Sequence, residues 1–398
     1  MVMQLGMRML RSTDTRLLWK FAYNFGFKGM LSVQRFKKRL KQGQVFPPFL
    51  YISIINSCNL RCTGCWVDVA APQKKISFEE MDRLIRNAKK HGNRFFGILG
   101  GEPFMHPDLI RILEAHPDCY FQIFTNGFFI DDAMAKELRR VGNATPLISV
   151  EGNEIESDSR RGRDGVLNKT LAGIEACVRN KIITGVATSA CKTNFDHLVR
   201  ESWVDELIRL GVHYVWFHTY RAVGPDAAPD LALTREQARE VRRFGVEMRT
   251  KKPIGFIDAY WDHEGKALCP AATGISHHVS PWGDIEPCPI VQFANEKIGD
   301  NGGDIYKTMV ESPLLKDFRK TAADATRGCI VLERPDLLKD IVERNGAKDT
   351  TARGKAMQEL SAMGSLNSQH DPGHEIPEDH WFYRFAKKNW YFGFGAYT

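Results

Sequence analysis

Three cysteines within eight residues, in the run Cys58-Asn59-Leu60-Arg61-Cys62-Thr63-Gly64-Cys65, carry the strongest chemical signal in the sequence. Thiolates this close together are soft, charged ligands that suit zinc or an iron–sulfur cluster. A structural zinc site normally adds a fourth Cys or His at matching spacing. The next candidate, His91, lies beyond an expected helix. Three cysteines alone suggest a cube-shaped cluster with one iron left open. Zinc remains the alternative, because ligand-spacing rules are loose.

The elements that must position this loop follow from the hydrophobic pattern. The apolar run Tyr51–Ile55 reads as a buried strand, and the cysteines leave its C-terminal end. A helix is expected from Ser77 to Lys90, where Ser77 and Glu80 have capping-box spacing. Further strands are expected at Phe95–Leu99, Tyr120–Phe124 and Leu147–Val150, then near 183–189 and 214–218. Helices are expected near 132–141, 166–179, 196–210 and 234–250. Alternating strands and helices imply a parallel sheet with right-handed crossovers. Polar and glycine-rich turns follow strand after strand, so the chemistry gathers at one end of the sheet.

Four motifs in order carry a family resemblance: CxxxCxxC, Gly100-Gly101-Glu102-Pro103, Thr125-Asn126-Gly127 and Ser149-Val150-Glu151-Gly152. Across residues 48–220 the chain resembles the radical S-adenosylmethionine (SAM) superfamily. The resemblance implies an α/β fold, a partial (β/α)6 barrel with a C-terminal extension. It also implies a [4Fe-4S] cluster on Cys58, Cys62 and Cys65 that binds SAM and cleaves it to a 5′-deoxyadenosyl radical. By the same resemblance the Gly100, Gly101, Glu102 and Pro103 loop binds the SAM amino group, its glycines allowing close backbone approach. Asn126, Ser149, Glu151, Arg161, Ser189 and Asn194 complete the expected SAM site, with Arg161 suited to a carboxylate. Where relatives often place an aromatic residue before the third cysteine, this chain has Gly64; Trp66 is the substitute at hand for the adenine contact.

A second cysteine group follows. Cys269 precedes Pro281-Trp282-Gly283, a turn flanked by His277–Ser280 and Asp284–Glu286 that reads as a hairpin, and Cys288 follows it. The arrangement resembles the auxiliary-cluster module of the SPASM and twitch subgroup, with Cys329 as third ligand. No cysteine follows 329, so one auxiliary cluster is expected, not two. Cys119 and Cys177 read as core residues. Cys191, near the end of the fifth strand, is the candidate for hydrogen-atom donation or cluster ligation.

Length and composition suit one large α/β domain with additions. The expected divisions are a basic helical arm (1–47), the barrel (48–252), the auxiliary-cluster module (253–332) and a C-terminal extension (333–398). Nine cysteines without a signal peptide fit a reducing cytoplasm, and no window is apolar enough to span a bilayer. Residues 1–45 hold ten Lys and Arg against Asp14 alone, which is +9; the chain total of +7 therefore leaves −2 for the rest. A near-neutral body argues against nucleic acid as partner. Basic and aromatic residues mix in the arm and again at His380–Phe394, a pattern that suits either an anionic membrane surface or docking on the barrel. Residues 345–380 read as a surface extension with one helix near 353–363.

The family resemblance implies an oxygen-sensitive radical SAM enzyme that takes hydrogen from its substrate and is fed by a reducing electron donor such as flavodoxin or ferredoxin. The substrate is expected to be a lipid or membrane-delivered molecule, with the enzyme peripheral at the inner face of the membrane. A peptide- or protein-modifying maturase is the alternative. A non-catalytic iron–sulfur or zinc protein is the rival of another class.

Overall fold

A computed structural model describes residues 1–390. Its nine-stranded sheet comprises β1 (Phe49–Ser53), β2 (Phe95–Leu99), β3 (Tyr120–Thr125), β4 (Ala144–Ser149), β5 (Gly185–Ala190), β6 (Tyr214–Thr219), β7 (Gly255–Ile257), β8 (Ser276–Val279) and β9 (Ile285–Glu286). The spatial order is β7-β6-β5-β4-β3-β2-β1-β8-β9. Pairing is parallel from β7 through β1 to β8, and only β8–β9 is antiparallel. The fold is α/β, an open, mostly parallel partial barrel with a C-terminal extension.

The six expected strands form, and the sheet continues past them at both edges. β7 adds beside β6 through Tyr214↔Gly255, and β8 adds beside β1 through Phe49↔Ser276. Both lie beyond residue 252, so the sheet runs on from the expected barrel into the next segment. The hairpin around Pro281-Trp282-Gly283 forms as β8–β9, with His278 opposite Glu286.

Before β1 lie α1 (Val2–Ser12), α2 (Thr15–Lys20), a π-helical stretch (Phe21–Phe27) and α3 (Lys28–Leu40). The crossover helices are α4 (Phe78–Lys90), α5 (Leu109–Ala115), α6 (Asp132–Val141), α7 (Glu154–Arg161), α8 (Val166–Arg179), α9 (Phe195–Leu198), α10 (Glu201–Arg209) and α11 (Arg235–Lys251). The Ser77–Glu80 capping box is present at the start of α4. The helix expected over 196–210 is broken at Val199–Arg200 into α9 and α10. α7 has no apolar stripe for periodicity to find; the Asn153–Glu156 capping box starts it directly after Gly152.

Strand alternation divides the side chains between two layers. On β5, Val186 and Ala190 join the main core with Val215 and Phe217, while Ala187 packs inward with Leu147 and Trp216. Cys119 and Cys177 are both fully buried in the main core.

The arm lies under the N-terminal ends of the strands. Arg8 donates to the carbonyls of Val212 and Pro253, Arg16 to those of Arg139 and Arg140, and Lys20 to Val141. Lys28 donates to Asp118 O and Ser32 to Pro48 O. Each carbonyl precedes a strand, so much of the arm's positive charge caps backbone at the closed end of the barrel.

The C-terminal extension is not loose surface. Glu378 is fully buried with Arg242, Arg249, Asp258 and Lys387. The helix Trp381–Asn389 packs beside α3, and Trp390 Nε1 donates to Gly26 O at 2.8 Å. Residues 391–394 of the expected aromatic–basic tail lie outside the described residues.

Candidate active site

Parallel strands place all their C-terminal ends on one rim, and the cysteine loop follows β1 there. Cys62 and Cys65 line a cavity of about 390 Å³ together with Cys269, Cys288 and Cys329. Cys58 joins Cys62 and Cys65 around an adjoining cavity of about 230 Å³ that reaches Gly100, Gly101, Asn126 and Ser149. The two cysteine groups therefore face a common space.

Burial pushes the Cys58 thiol up to about 11 and the Cys65 and Cys269 thiols up to about 12, and it drives the Cys288 thiol well up too. Neighbouring sulfurs within each triad push in the same direction. Such thiols become thiolates when a cationic metal centre compensates them. A single zinc would need its sulfurs within about 2.3 Å of one point. Among the described residues no group of three or more His, Cys, Asp or Glu side chains is placed to hold a single metal ion.

Gly100 and Gly101 show a different use of glycine from the one expected. A Cβ on Gly100 would stand 2.4 Å from Ile55 O, and one on Gly101 would stand 2.2 Å from Ser57 O. The missing side chains let this turn press against the backbone that leads into the cysteine loop. Gly101 N donates to Ile55 O and Glu102 N to Ser57 O. Glu102 is likewise occupied internally: its carboxylate accepts from Phe104 N, Thr125 Oγ1 and Asn126 N. Burial pushes that carboxyl up to about 7 against these three donors. Pro103 is buried and opens the 3-10 turn after Glu102. This loop thus ties the second motif to the first and third.

Asn126 Nδ2 donates to Asn59 Oδ1 at 2.8 Å and lies 3.9 Å from Cys58 Sγ. Arg161 approaches Cys62 Sγ at 3.7 Å and pairs with Glu151. Glu151 also accepts from Ser189 N at 3.2 Å. Asn194 is a clasp: its amide donates to Glu151 O and Ser189 O, and its Oδ1 accepts from Cys191 N. Ser149, Glu151, Arg161 and Ser189 line the larger cavity.

Cys191 is not among the residues lining that cavity. It is 1 % exposed, packed with Tyr220 and Ala222, and Arg160 donates to its sulfur at 3.3 Å. The end of β5 turns its thiol behind the wall, which removes the geometric basis for hydrogen-atom donation.

The wall between the triads comes from residues outside the sequence motifs. His218 is the register partner of Ser189, its Nδ1 lies 3.1 Å from Tyr260 Oη, and Arg221 stacks over the Tyr260 ring at 4.7 Å. Burial pushes His218 down to about 4, so the ring is neutral. The Cys329 and Cys269 sulfurs help keep Arg221 charged against its burial. Alternation of Trp216 and His218 on β6 was the available signal. Gly64, at φ +70, has room only for Tyr220: a Cβ would stand 2.0 Å from its hydroxyl. Trp66 meets His278 edge-on at 5.5 Å, which sets it against the second cysteine module.

Comparison with known proteins agrees with this geometry. Residues 52–200 match the sequence model of the Radical SAM superfamily. The chain is 29 % identical over 151 residues to an Fe-coproporphyrin III synthase of Methanosarcina barkeri, covering 37 % of this chain and 38 % of that one. It is 29 % identical over 160 residues to a GTP 3′,8-cyclase of Campylobacter jejuni, covering 38 % and 50 %. The chain thus spans half or less of the length of these curated relatives. Among solved structures, Streptococcus suis SuiB bound to S-adenosylmethionine superposes with a TM-score of 0.60 at 17 % identity, covering 71 % of this chain and 70 % of SuiB. anSMEcpe with bound AdoMet gives 0.56 at 16 %, covering 70 % and 84 %. These two likenesses concern the fold. Residues 52–200 thus resemble the radical SAM superfamily in sequence, and the fold around them is shared with these two structures.

Proposed function

We propose that the chain is a radical SAM enzyme whose substrate is held between two iron–sulfur centres. When bound, a [4Fe-4S] cluster on Cys58, Cys62 and Cys65 supplies the electron that cleaves SAM to a 5′-deoxyadenosyl radical. Cys269, Cys288 and Cys329 would hold an auxiliary cluster. The observation that carries this reading is that cysteines of both triads line one cavity of about 390 Å³. Hydrogen abstraction needs the reacting atoms held close and water kept out, and Tyr51, Phe124, Trp216 and Tyr260 give that cavity aromatic walls.

In this reading Ser149, Ser189 and the Glu151–Arg161 pair hold SAM beside Cys62, while Asn126 orients the loop at Cys58. Glu102, Gly100, Gly101, Pro103 and Asn194 act through the backbone they position. A low-potential donor such as flavodoxin or ferredoxin would supply the electron. The enzyme would work in the cytoplasm, peripheral to the membrane; no helix among the described residues is long and apolar enough to cross one.

A peptide or protein substrate is favoured over a lipid. The arm and the C-terminal helix, which prompted the lipid reading, lie at the end of the barrel opposite the cysteines. SuiB, one of the fold neighbours, has been solved bound to its precursor peptide. The decisive experiment combines iron and sulfide analysis of anaerobically purified protein with an assay for 5′-deoxyadenosine in the presence of dithionite and SAM. Protein that carries iron and yields no 5′-deoxyadenosine would be a non-catalytic cluster scaffold.

A further inference from the structure

Eleven large apolar side chains are exposed among the described residues, and nine of them belong to the arm and the C-terminal helix. On α1 they are Met3, Met7 and Leu10, at spacings of four and three. On the continuous helical run from α2 to α3 they are Trp19, Tyr23, Phe27 and Leu31, each four apart. Trp19, Tyr23 and Phe27 stack in sequence, with ring centroids 6.0 Å apart at each step. Trp381 is 70 % exposed on the adjacent helix. The opposite side of the same arm buries Leu17, Phe25, Val33 and Phe36 against the barrel. An arm that is apolar on its outer face as well as its inner one requires a partner.

Charge identifies the partner. The exposed stripe continues from Leu31 into Arg35, Lys38 and Lys41, all exposed, and Arg11 follows Leu10 on α1. The arm's single acid, Asp14, is committed to Arg139 at 2.8 Å. A twofold contact between copies would press two +9 arms together. A bilayer with anionic headgroups accepts both parts of the surface: aromatics at the interface level, cations among the phosphates.

We infer that the outer face of the arm is a docking surface for an anionic phospholipid bilayer, with Trp19, Tyr23, Phe27 and Leu31 entering the interface. This rests on the peripheral location proposed above and adds the surface and its orientation. The arm caps carbonyls that precede β3, β4, β6 and β7, whereas the cysteine loop follows β1 at the other rim. Docking therefore turns the catalytic mouth away from the bilayer, toward soluble substrate and reductant. Several arm cations are already used as carbonyl caps, so apolar insertion carries a large share of the attachment, and salt weakens it without abolishing it.

The test is flotation of the full-length protein with vesicles of phosphatidylcholine alone or mixed with phosphatidylglycerol. Most of the protein should float with the mixed vesicles at low salt, and little with phosphatidylcholine. High salt should lower the bound fraction only a few-fold. The combined substitution of Trp19, Tyr23 and Phe27 by Ser should lower it about tenfold with the melting temperature held, since these side chains already meet water. Arg35→Glu with Lys38→Glu provides a second, purely electrostatic variant that should also release the protein. Hydrogen exchange should slow in residues 1–41 on vesicles and stay unchanged at 58–65. Protein left unfloated with anionic vesicles, or protection at 58–65 rather than 1–41, overturns the inference. A dimer that the triple Ser variant makes monomeric, without flotation, assigns the face to a second copy and also overturns it. The 5′-deoxyadenosine assay on the same preparation separates the claims: flotation without product defeats the proposed reaction alone, and product without flotation defeats this surface alone.

Discussion

Arg161 reaches from the last turn of α7 to within 3.7 Å of Cys62 Sγ, and its other terminal nitrogen pairs with Glu151. Burial works against the charge on Arg161, and Glu151 together with the Cys62 and Cys65 sulfurs outweighs it. This side chain thus joins the first cysteine loop to the end of β4, and Glu151 carries the link on to β5 by accepting from Ser189 N.

Removing that cation should leave the Glu151 carboxylate buried without its main partner. Breaking one half of a buried pair costs about 3–5 kcal/mol, and Arg160, 3.9 Å from Glu151, should hold the loss near the lower end. Arg161→Gln should therefore lower stability by about 3 kcal/mol in urea unfolding, and adding Glu151→Gln should recover part of it. A single-variant loss below about 1 kcal/mol would show that the pair does not hold this rim together.

The two triads should load iron separately. Two cubes correspond to about eight irons per chain. Replacing Cys58, Cys62 and Cys65 by Ala should leave about four irons and abolish 5′-deoxyadenosine formation, and Cys288→Ala should remove the other four. If the first variant still makes 5′-deoxyadenosine, or if the unaltered protein binds only four irons and Cys288→Ala leaves its EPR spectrum unchanged, the corresponding assignment fails.

Gly101→Ala asks whether the Gly100–Gly101 turn shapes the cysteine loop. The new methyl would sit 2.2 Å from Ser57 O and 2.5 Å from Asn56 O, and both atoms are backbone that cannot swing aside. The loop should shift, so iron at the first triad should fall by half or more while the second triad keeps its share. A variant with full iron content and normal product formation would mean that the turn tolerates the methyl and guides nothing.

What was legible in the sequence was whatever rests on local pattern. β1 to β6 show as apolar runs, Ser77–Glu80 as a cap, and the Pro281-Trp282-Gly283 hairpin as turn chemistry. What was hidden depends on distant partners. Nothing local to Ser276–Val279 says that it will pair with β1, because parallel pairing leaves no turn signal between the strands. Cys191 looked available because it follows β5, and only packing against Tyr220 shows the thiol to be turned away. Glu102 reads from the sequence as a ligand for SAM, and its links to Thr125 and Asn126 at the next strand end have no local signal. The residues around Glu378 read as surface because Glu and Lys usually are, and their burial depends on Arg242 and Arg249, more than a hundred residues earlier.

That last cluster has a consequence for pH. Asp258 and Glu378 are buried among Arg242, Arg249 and Lys387, with Lys387 Nζ 2.5 Å from Asp258 Oδ1 and Arg242 Nη1 2.6 Å from Glu378 Oε1. Burial alone would raise both carboxyls, and the cations outweigh it, holding both below their ordinary values. An acid whose value is depressed by folding lends stability that is fully present above its unfolded range, near pH 4, and is lost as pH falls through the folded value. The contribution of this cluster should accordingly be constant from neutral pH to about 5 and be lost in more acidic buffer. Glu378→Gln keeps the shape and removes the charge, so it should cost about 3 kcal/mol at pH 7 and leave a shallower acid limb. Because Glu378 fastens the C-terminal segment to α11, the same variant should speed proteolysis after residue 365 before the barrel unfolds. Equal acid slopes for the two proteins would show that the carboxylate is not part of the acid response, and unchanged proteolysis would show that the segment is held by other contacts.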